Sequence, residues 1–590
     1  MSKQLPKAEV FTTDRLDAIC LVPERGFDRQ DIREAIKRIL SSLPMKSLAE
    51  GISIPAQHAH LLLGISHAID LKWRGDSRLL AENRQQMSLN INGIRAQVET
   101  IKAKGIKGAE ELITDLADAD DLDNHQRINV AVMTLPCSPG LCVFDEQGTG
   151  KTVTVIYAFD LLVHRDEVDI VLVLAPKSMV SEWPVDLSRF KGDLYKSMTI
   201  TGNRREKRLA INSDSDFFIT NYETAVSMEK ELTALLRRHN GRAMLVVDES
   251  FYVKNLDAKR TRAIRRLREH CKRAFVLCGT PAPNSPHDLI QQFNIVDLGH
   301  TFESIRIPED YDLAKMVVQQ AINDRGLYIR HLKTNVLPDL PLKRFNRVIV
   351  PLNPEQTKLY EAALRDFILD LRSIDDSAFQ RQLGSFLARR SALLQICSNP
   401  AAIAENYSEV PAKLQALDEL LNEIISVKKE KVVLWSFYTA SISAIFNRYQ
   451  RFNPVRYDGT VSDVAVRREA VHRFQRDNET MLFVANPAAA GAGLTLHRAR
   501  FAIYESMSNQ AAHYLQSIDR IHRRGQTRDV EYLILLCDKT IEIDEYDRLL
   551  RKERSAQGLL GDQVHEPVTR KSMLEEAINS IRQLGEGYEQ

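Results

Sequence analysis

The sequence predicts an α/β protein made of two doubly wound parallel-sheet lobes in tandem, preceded by a mainly helical N-terminal region. Two series of short apolar runs, each run separated from the next by a helical stretch, are the main observation. The first comprises "LCVFDE", "DIVLVLAP", "DFFITN", "AMLVVDES" and "AFVLCGT", and the second "KVVLWSFY", "VRYDGT", "MLFVAN", "RFAIYES" and "EYLILLC". Near-continuous Val/Ile/Leu/Phe runs of this length are expected of strands buried on both faces. The second observation is how the first series ends, on polar or small residues: Asp145, Pro176, Asn221, Asp248 and Gly279. Open α/β sheets bind ligands beyond the carboxyl ends of their strands, so these residues stand where a site would form.

The elements follow in order. Residues 1–114 read as an accessory region, mostly helical, with segments such as "DRQDIREAIKRILSSL" and "ENRQQMSLNINGIRAQVETIKAKG". The acidic stretch "DLADADDLDN" marks a boundary. The first lobe is expected over 115–350 and the second over 351–555, with a tail over 556–590. Helical segments (Ala314 to His331 and Gln356 to Cys397) and a proline-marked crossing, "VLPDLPLKRFNRVIVPLNPEQ", lie between the two series. A cleft is expected between the lobes.

Composition narrows the function classes. The 590 residues are 44% hydrophobic and 27% charged, the balance of a globular protein with a large core. No apolar run is long enough to span a bilayer, and "MSKQLPKAEVFTTD" has no signal-peptide apolar segment, so no membrane association is expected. The seven cysteines fall singly, which suggests neither a disulfide framework nor a zinc site and fits a reducing, intracellular setting. The net charge of +1 gives no global case for a polyanionic partner. "NRREKR" and "KRTRAIRRLREHCKR" are locally basic, but a solvated helix face accounts for such runs.

The chemistry begins at "CVFDEQGTGKTVTVI". Phosphate-binding loops follow G-x-x-x-x-G-K-[ST]; here Gly150-Lys151-Thr152 supplies the end, and Asp145 stands where the first glycine belongs. Gly148, Thr149 and Gly150 would let backbone N–H groups converge on a phosphate at a helix N-terminus. Lys151 would reach the β- and γ-phosphates, and the Thr152 hydroxyl would coordinate Mg²⁺. A glycine turn with a chance GKT would look the same. A second element shifts the balance: Asp248 and Glu249 directly follow an apolar strand of the same predicted sheet, where nucleotide hydrolysis needs one carboxylate for Mg²⁺ and a neighbour for water.

"DEQGTGKT" together with "DESFYVKN" resembles the Swi/Snf-type (SNF2 family) DNA-dependent ATPases and translocases of helicase superfamily two. That family's loop has the form D-E-x-G-x-G-K-T, which explains Asp145. The resemblance runs from Leu122 to about Lys552 and implies RecA-like lobes, ATP and Mg²⁺ as cofactors, and double-stranded DNA as partner. By resemblance, Gln126 of "LDNHQ" reads the adenine, while Lys177 and Ser178 of "LAPKSMVSEW" and Asn221 of "ITNYET" contact DNA. "LCGTPAPNSPHDL" resembles the element that links hydrolysis to DNA movement; "IRHLKTNVLPDLPLK" and "LLQICSNP" resemble flanks of the family's helical protrusions. One departure stands out. The acidic motif reads Asp248-Glu249-Ser250-Phe251, where most of the family has histidine fourth; serine at the third place is similar to the annealing-helicase branch.

In the second series, "QSIDRIHRRGQ" spaces Gln516, Arg520 and Arg523 by four and three, one face of a helix. Paired guanidiniums call for an anion, though a solvated basic helix has the same spacing. The resemblance makes Arg520 and Arg523 arginine fingers on the γ-phosphate, with Gln516 beside the nucleotide. It also implies that Gly493 of "ANPAAAGAGLTL" senses nucleotide and that Trp435 and Ser436 of "WSFY" contact DNA.

The function expected is ATP-driven translocation on double-stranded DNA, free, branched or protein-bound, with residues 1–114 available to a protein partner. A strand-separating DNA or RNA helicase, and a nucleotide-switched DNA clamp with little turnover, are the alternatives. The compartment expected is the cytoplasm, with a bacterial or viral origin, or the nucleus in a eukaryote.

Overall fold

The structure is a computed structural model that describes residues 5–13, 18–41, 43–177, 179–253, 255, 258–279, 281, 286–303, 305–461, 463–489, 494–507 and 511–558. The chain divides into two compact units, Met1–Val336 and Leu337–Gln590. Among the described residues it forms three sheets.

The N-terminal region is mainly helical, as expected, but it also carries a sheet that the sequence did not reveal. β1 (Lys7–Thr12), β2 (Ala18–Pro23), β3 (Lys46–Ser47), β4 (Ile52–Pro55) and β5 (Asp70–Trp73) assemble in the order β3-β4-β2-β1-β5. β1 buries one face only: Ala8 and Val10 point inward, Lys7 and Glu9 outward. A period-two signal two or three residues deep is lost beside the helical repeats around it. The helix Arg29–Ile39, with Asp28 and Asp31 forming a reciprocal cap, places Ile32 and Ile36 on this core with Ile19, Leu21, Ile52 and Ile54. The outer face carries ion pairs, Lys72–Glu9 among them. The long helix Ser77–Lys104 follows, and Arg84 on it forms a buried ion pair with Glu269, tying the N-terminal region to the second sheet's layer.

That second sheet comprises β6 (Gly140–Val143), β7 (Ile170–Ala175), β8 (Ser197–Thr199), β9 (Phe217–Asn221), β10 (Ala243–Asp248), β11 (Arg273–Leu277) and β12 (Tyr328–Ile329). Its order is β12-β6-β11-β10-β7-β9-β8, with every neighbour parallel. β7 and β10 are buried at all six positions, as their unbroken apolar runs require. β8 and β12, at the edges, have two or three residues each and left no run to find.

In the second unit, β13 (Lys343–Val350), β14 (Val432–Trp435), β15 (Val455–Tyr457), β16 (Leu482–Ala485), β17 (Phe501–Tyr504) and β18 (Val530–Cys537) order as β13-β18-β17-β14-β16-β15, again all parallel. The expected lobe boundary at residue 350 is therefore too late. β13 lies inside the proline-marked crossing and pairs with β18 over eight residues. As an edge strand it leaves Arg344, Phe345 and Arg347 exposed, and so lacks the apolar continuity of a central strand. Helices Pro354–Ser373 and Asp376–Ser398 pack on each other through Phe367, Phe379 and Phe386, the helical protrusion expected of this lobe.

Candidate active site

β6 ends at Val143, and the chain then turns through Asp145–Gly150 into the helix Lys151–His164. Gly148 and Gly150 sit at φ +87° and +91°, the left-handed region that side chains disfavour. A Cβ on Gly150 would also collide with Gln126 Nε2. Lys151 Nζ donates to the carbonyls of Asp145 at 2.9 Å and Glu146 at 3.2 Å. Gln126 Nε2 and His125 Nε2 both donate to Thr149 O, at 3.1 and 2.9 Å, so the helix Asn124–Met133 holds the loop from behind.

Asp145 is a structural anchor in place of a glycine. Its Oδ2 accepts from Asn129 Nδ2 at 2.5 Å, and its Oδ1 from His331 N at 2.8 Å and Nδ1 at 3.0 Å. Burial pushes this carboxyl up, but the hydrogen bond and charge of His331, with Asn129 and Lys151, outweigh it and hold it below its ordinary value.

Two positions along the sheet, β10 ends in Asp248, and Glu249 follows it directly. Asp248 Oδ2 accepts from Trp183 Nε1 at 3.1 Å, and the Tyr222 hydroxyl donates to the Asp248 carbonyl. Burial, reinforced by the charge of Glu249, raises the Asp248 carboxyl to about 7. Glu249 adopts φ +51°, a conformation costing about 1–3 kcal/mol for a residue with a side chain. Gln147 Nε2, from the phosphate loop, donates to Glu249 Oε1 at 3.2 Å and joins the two halves of this constellation. Gly279 completes the approach, since a Cβ there would lie 3.0 Å from Gln147 N. Phe251, the departure from the family pattern, is buried and stacks on Tyr252 at 4.5 Å. Ser250 Oγ donates to Gln292 Oε1 at 2.5 Å.

A buried carboxylate that is costly to ionise beside a second one suits a divalent cation, which favours the ionised pair. Thr152, second residue of the helix, and Asp248 are the residues that would hold Mg²⁺.

In the second unit, Gln516 lies on the helix Ala511–Ile518, but that helix ends before the arginines. This corrects the shared helical face expected of the three residues. Arg520 and Arg523 sit in the turns that follow, and a common acceptor brings them together: Nη1 of each donates to Leu494 O, at 3.3 and 3.1 Å. Arg523 Nη1 also donates to Thr495 Oγ1 at 2.9 Å. Gln526 Nε2 fastens the same turns to the carbonyls of His497 and Ala499.

A model of the SNF2-related domain matches residues 78–402, more than half of the chain, and one of the helicase conserved C-terminal domain matches 412–525.

The chain belongs to the SNF2 family.

Among relatives, it is 28% identical over 451 residues to the putative ATP-dependent helicase/translocase YwqA of Bacillus subtilis, covering 72% of this chain and 46% of that protein. It is 24% identical over 441 residues to the ISWI chromatin-remodeling complex ATPase ISW1 of Saccharomyces cerevisiae, covering 70% and 38%. With the DNA annealing helicase and endonuclease ZRANB3 of Homo sapiens the identity is 25% over 435 residues, covering 70% and 38%. The matched part thus spans less than half the length of these relatives. Among solved structures, the SWI2/SNF2 ATPase core of Sulfolobus solfataricus in complex with dsDNA is similar at 22% identity and a TM-score of 0.33, covering 74% of this chain and 94% of that one.

Several residues expected at the site of this SNF2 chain stand elsewhere. Trp435 and Ser436, assigned to DNA by resemblance, are fully buried. Trp435 packs in the core beside Tyr504, and Ser436 Oγ donates to Glu505 Oε2 at 2.7 Å, so neither presents a surface to DNA. Lys177 is exposed just beyond β7. Asn221 spends its side-chain oxygen on a helix cap, accepting from Thr224 N at 2.8 Å. Ser178 and Gly493 lie outside the described residues. Reasoning from sequence missed Asn129, His125, Trp183 and His331, which reach the loop and the acid pair from distant segments. No motif marks them individually.

Among the described residues, Cys397, Cys537 and Glu542 alone bring three metal-type ligand atoms within 4.8 Å of one another. The Lys413 ammonium already occupies the cation's place there, paired with Glu542 and donating to Glu505 O at 2.6 Å. No helix among the described residues is long and apolar enough to cross a membrane.

Proposed function

We propose that this chain is a DNA-dependent ATPase that uses ATP to move along or remodel double-stranded DNA. The observation that carries the reading is the Gln147–Glu249 bond, which holds a phosphate-binding loop and an acidic pair together at the carboxyl ends of β6 and β10. In this reading the loop amides and Lys151 bind the triphosphate, and Gln126 stands beside the base. Glu249, held by Gln147, orients the attacking water and takes its proton. Thr152 and Asp248 would hold Mg²⁺, which would supply charge neutralisation on the phosphate oxygens when bound. Arg520 and Arg523 are the groups we assign to the charge that develops on the transferring phosphoryl, and such arginines contribute about 10³–10⁵ in rate.

The relatives' names support DNA as the partner: a helicase/translocase, a chromatin-remodeling ATPase and an annealing helicase. Branched or protein-bound DNA, a protein partner for the N-terminal region and a cytoplasmic location, or a nuclear one in a eukaryote, belong to the same proposal. The test is ATP turnover with and without duplex DNA. Strong stimulation by duplex, abolished by Lys151→Ala, Glu249→Gln or Arg520→Ala, is expected; equal turnover with and without DNA overturns the reading.

A further inference from the structure

"IRHLK" reads in sequence only as a flank of helical protrusions, yet in the fold it is fastened to the phosphate loop. β12 pairs in parallel with β6, and the bonding continues past both strands: Phe144 N donates to Ile329 O and Glu146 N to His331 O, each at 2.9 Å. Side chains then take over. His331 N and Nδ1 both donate to Asp145 Oδ1, and Lys333 N donates to Glu146 Oε2 at 2.7 Å. Asn129 Nδ2 closes the other side of Asp145. Asp145 and Glu146 are also the residues whose carbonyls receive Lys151 Nζ. The ammonium therefore has its place set by a two-residue corner whose own side chains are held from outside the loop. Asp145 is 1% exposed, so water does not compete for these bonds.

We infer that His331 is a positioning residue for the phosphate-binding lysine: its imidazole and amide fix Asp145, and the Asp145–Glu146 corner fixes Lys151. Asn129 shares the task. The inference rests on the nucleotide-binding reading of the loop, but not on turnover or on DNA.

Binding of ATP with Mg²⁺ to the full chain, measured by calorimetry beside steady-state turnover, tests it. His331→Ala is expected to weaken ATP binding roughly tenfold, the scale of one charge-assisted hydrogen bond. His331→Asn, whose amide nitrogen takes the place of Nδ1, is expected to stay within about threefold of wild type. Asn129→Ala should act in the direction of His331→Ala, and it serves if that variant does not fold. An Ala variant with wild-type affinity overturns the inference, and so does an Asn variant as weak as Ala. If the wild type binds ATP in a His331-dependent way but turns none over on duplex DNA, the ATPase reading fails and the positioning role stands. If turnover is intact and affinity is indifferent to His331, the positioning role fails alone.

Discussion

Arg520 and Arg523 share one acceptor, the carbonyl oxygen of Leu494, although the helix that carries Gln516 has ended before either of them. They differ in burial: Arg520 is 0% exposed, Arg523 only partly buried. Arg523→Ala is expected to lower kcat about 10³-fold with little effect on unfolding. Arg520→Ala should lower kcat similarly and also reduce stability by about 1.5–3 kcal/mol, read from urea unfolding. The double variant should be scarcely slower than either single one, as expected of groups that act as a unit.

Gly150→Ala tests the loop's geometry. The substitution forces a side chain into φ +91° and drives its Cβ into Gln126. ATP affinity measured by calorimetry is expected to fall more than about tenfold, since strain of about 1–2 kcal/mol adds to the displaced contact. Gly64→Ala, where a Cβ meets nothing within 4 Å, is the control and should bind as wild type.

The Asp248 carboxyl makes stability depend on pH in a definite sense. Its folded pKa of about 7 lies above the ordinary carboxylate value, so the folded state binds the proton more tightly. The corresponding stability is present below about pH 4 and is lost as pH rises to about 7. In EDTA at pH 8, Asp248→Asn should therefore unfold at higher denaturant than wild type. Millimolar Mg²⁺ should narrow the gap, because the cation favours the ionised carboxylate of the wild type alone.

Lys413 and Glu542 form an ion pair deep in the second unit, with Glu542 Oε2 also accepting from Cys537 N at 2.8 Å. Lys413→Met leaves that carboxyl without its cation and should cost about 3–5 kcal/mol. Combining it with Glu542→Gln should recover a large part of the loss in a chemical denaturation series.

Trp435 and Lys177 separate core from surface. Trp435→Leu opens space in a close-packed core and should cost about 2–4 kcal/mol, leaving duplex affinity unchanged. Lys177→Ala, at an exposed position, should leave the denaturation midpoint alone, weaken duplex binding and lower its salt dependence by about one counterion.

The central strands were legible because a strand buried on both faces must be apolar throughout, and the loop and acid pair because each is a contiguous string. β1–β5, β8, β12 and β13 escaped notice since edge or one-faced strands of two to eight residues carry too little patterning. By itself the chain order determined the lobe type, the phosphate loop, the acid pair and the family, all consequences of local chemistry repeated at short spacing. Tertiary structure alone decided that Asp145 is gripped by Asn129 and His331, that Glu249 answers to Gln147, and that Trp435 belongs to the core. Those relations join residues 16 to 186 positions apart, and hydrogen bonding over such separations leaves no periodic trace in a single sequence.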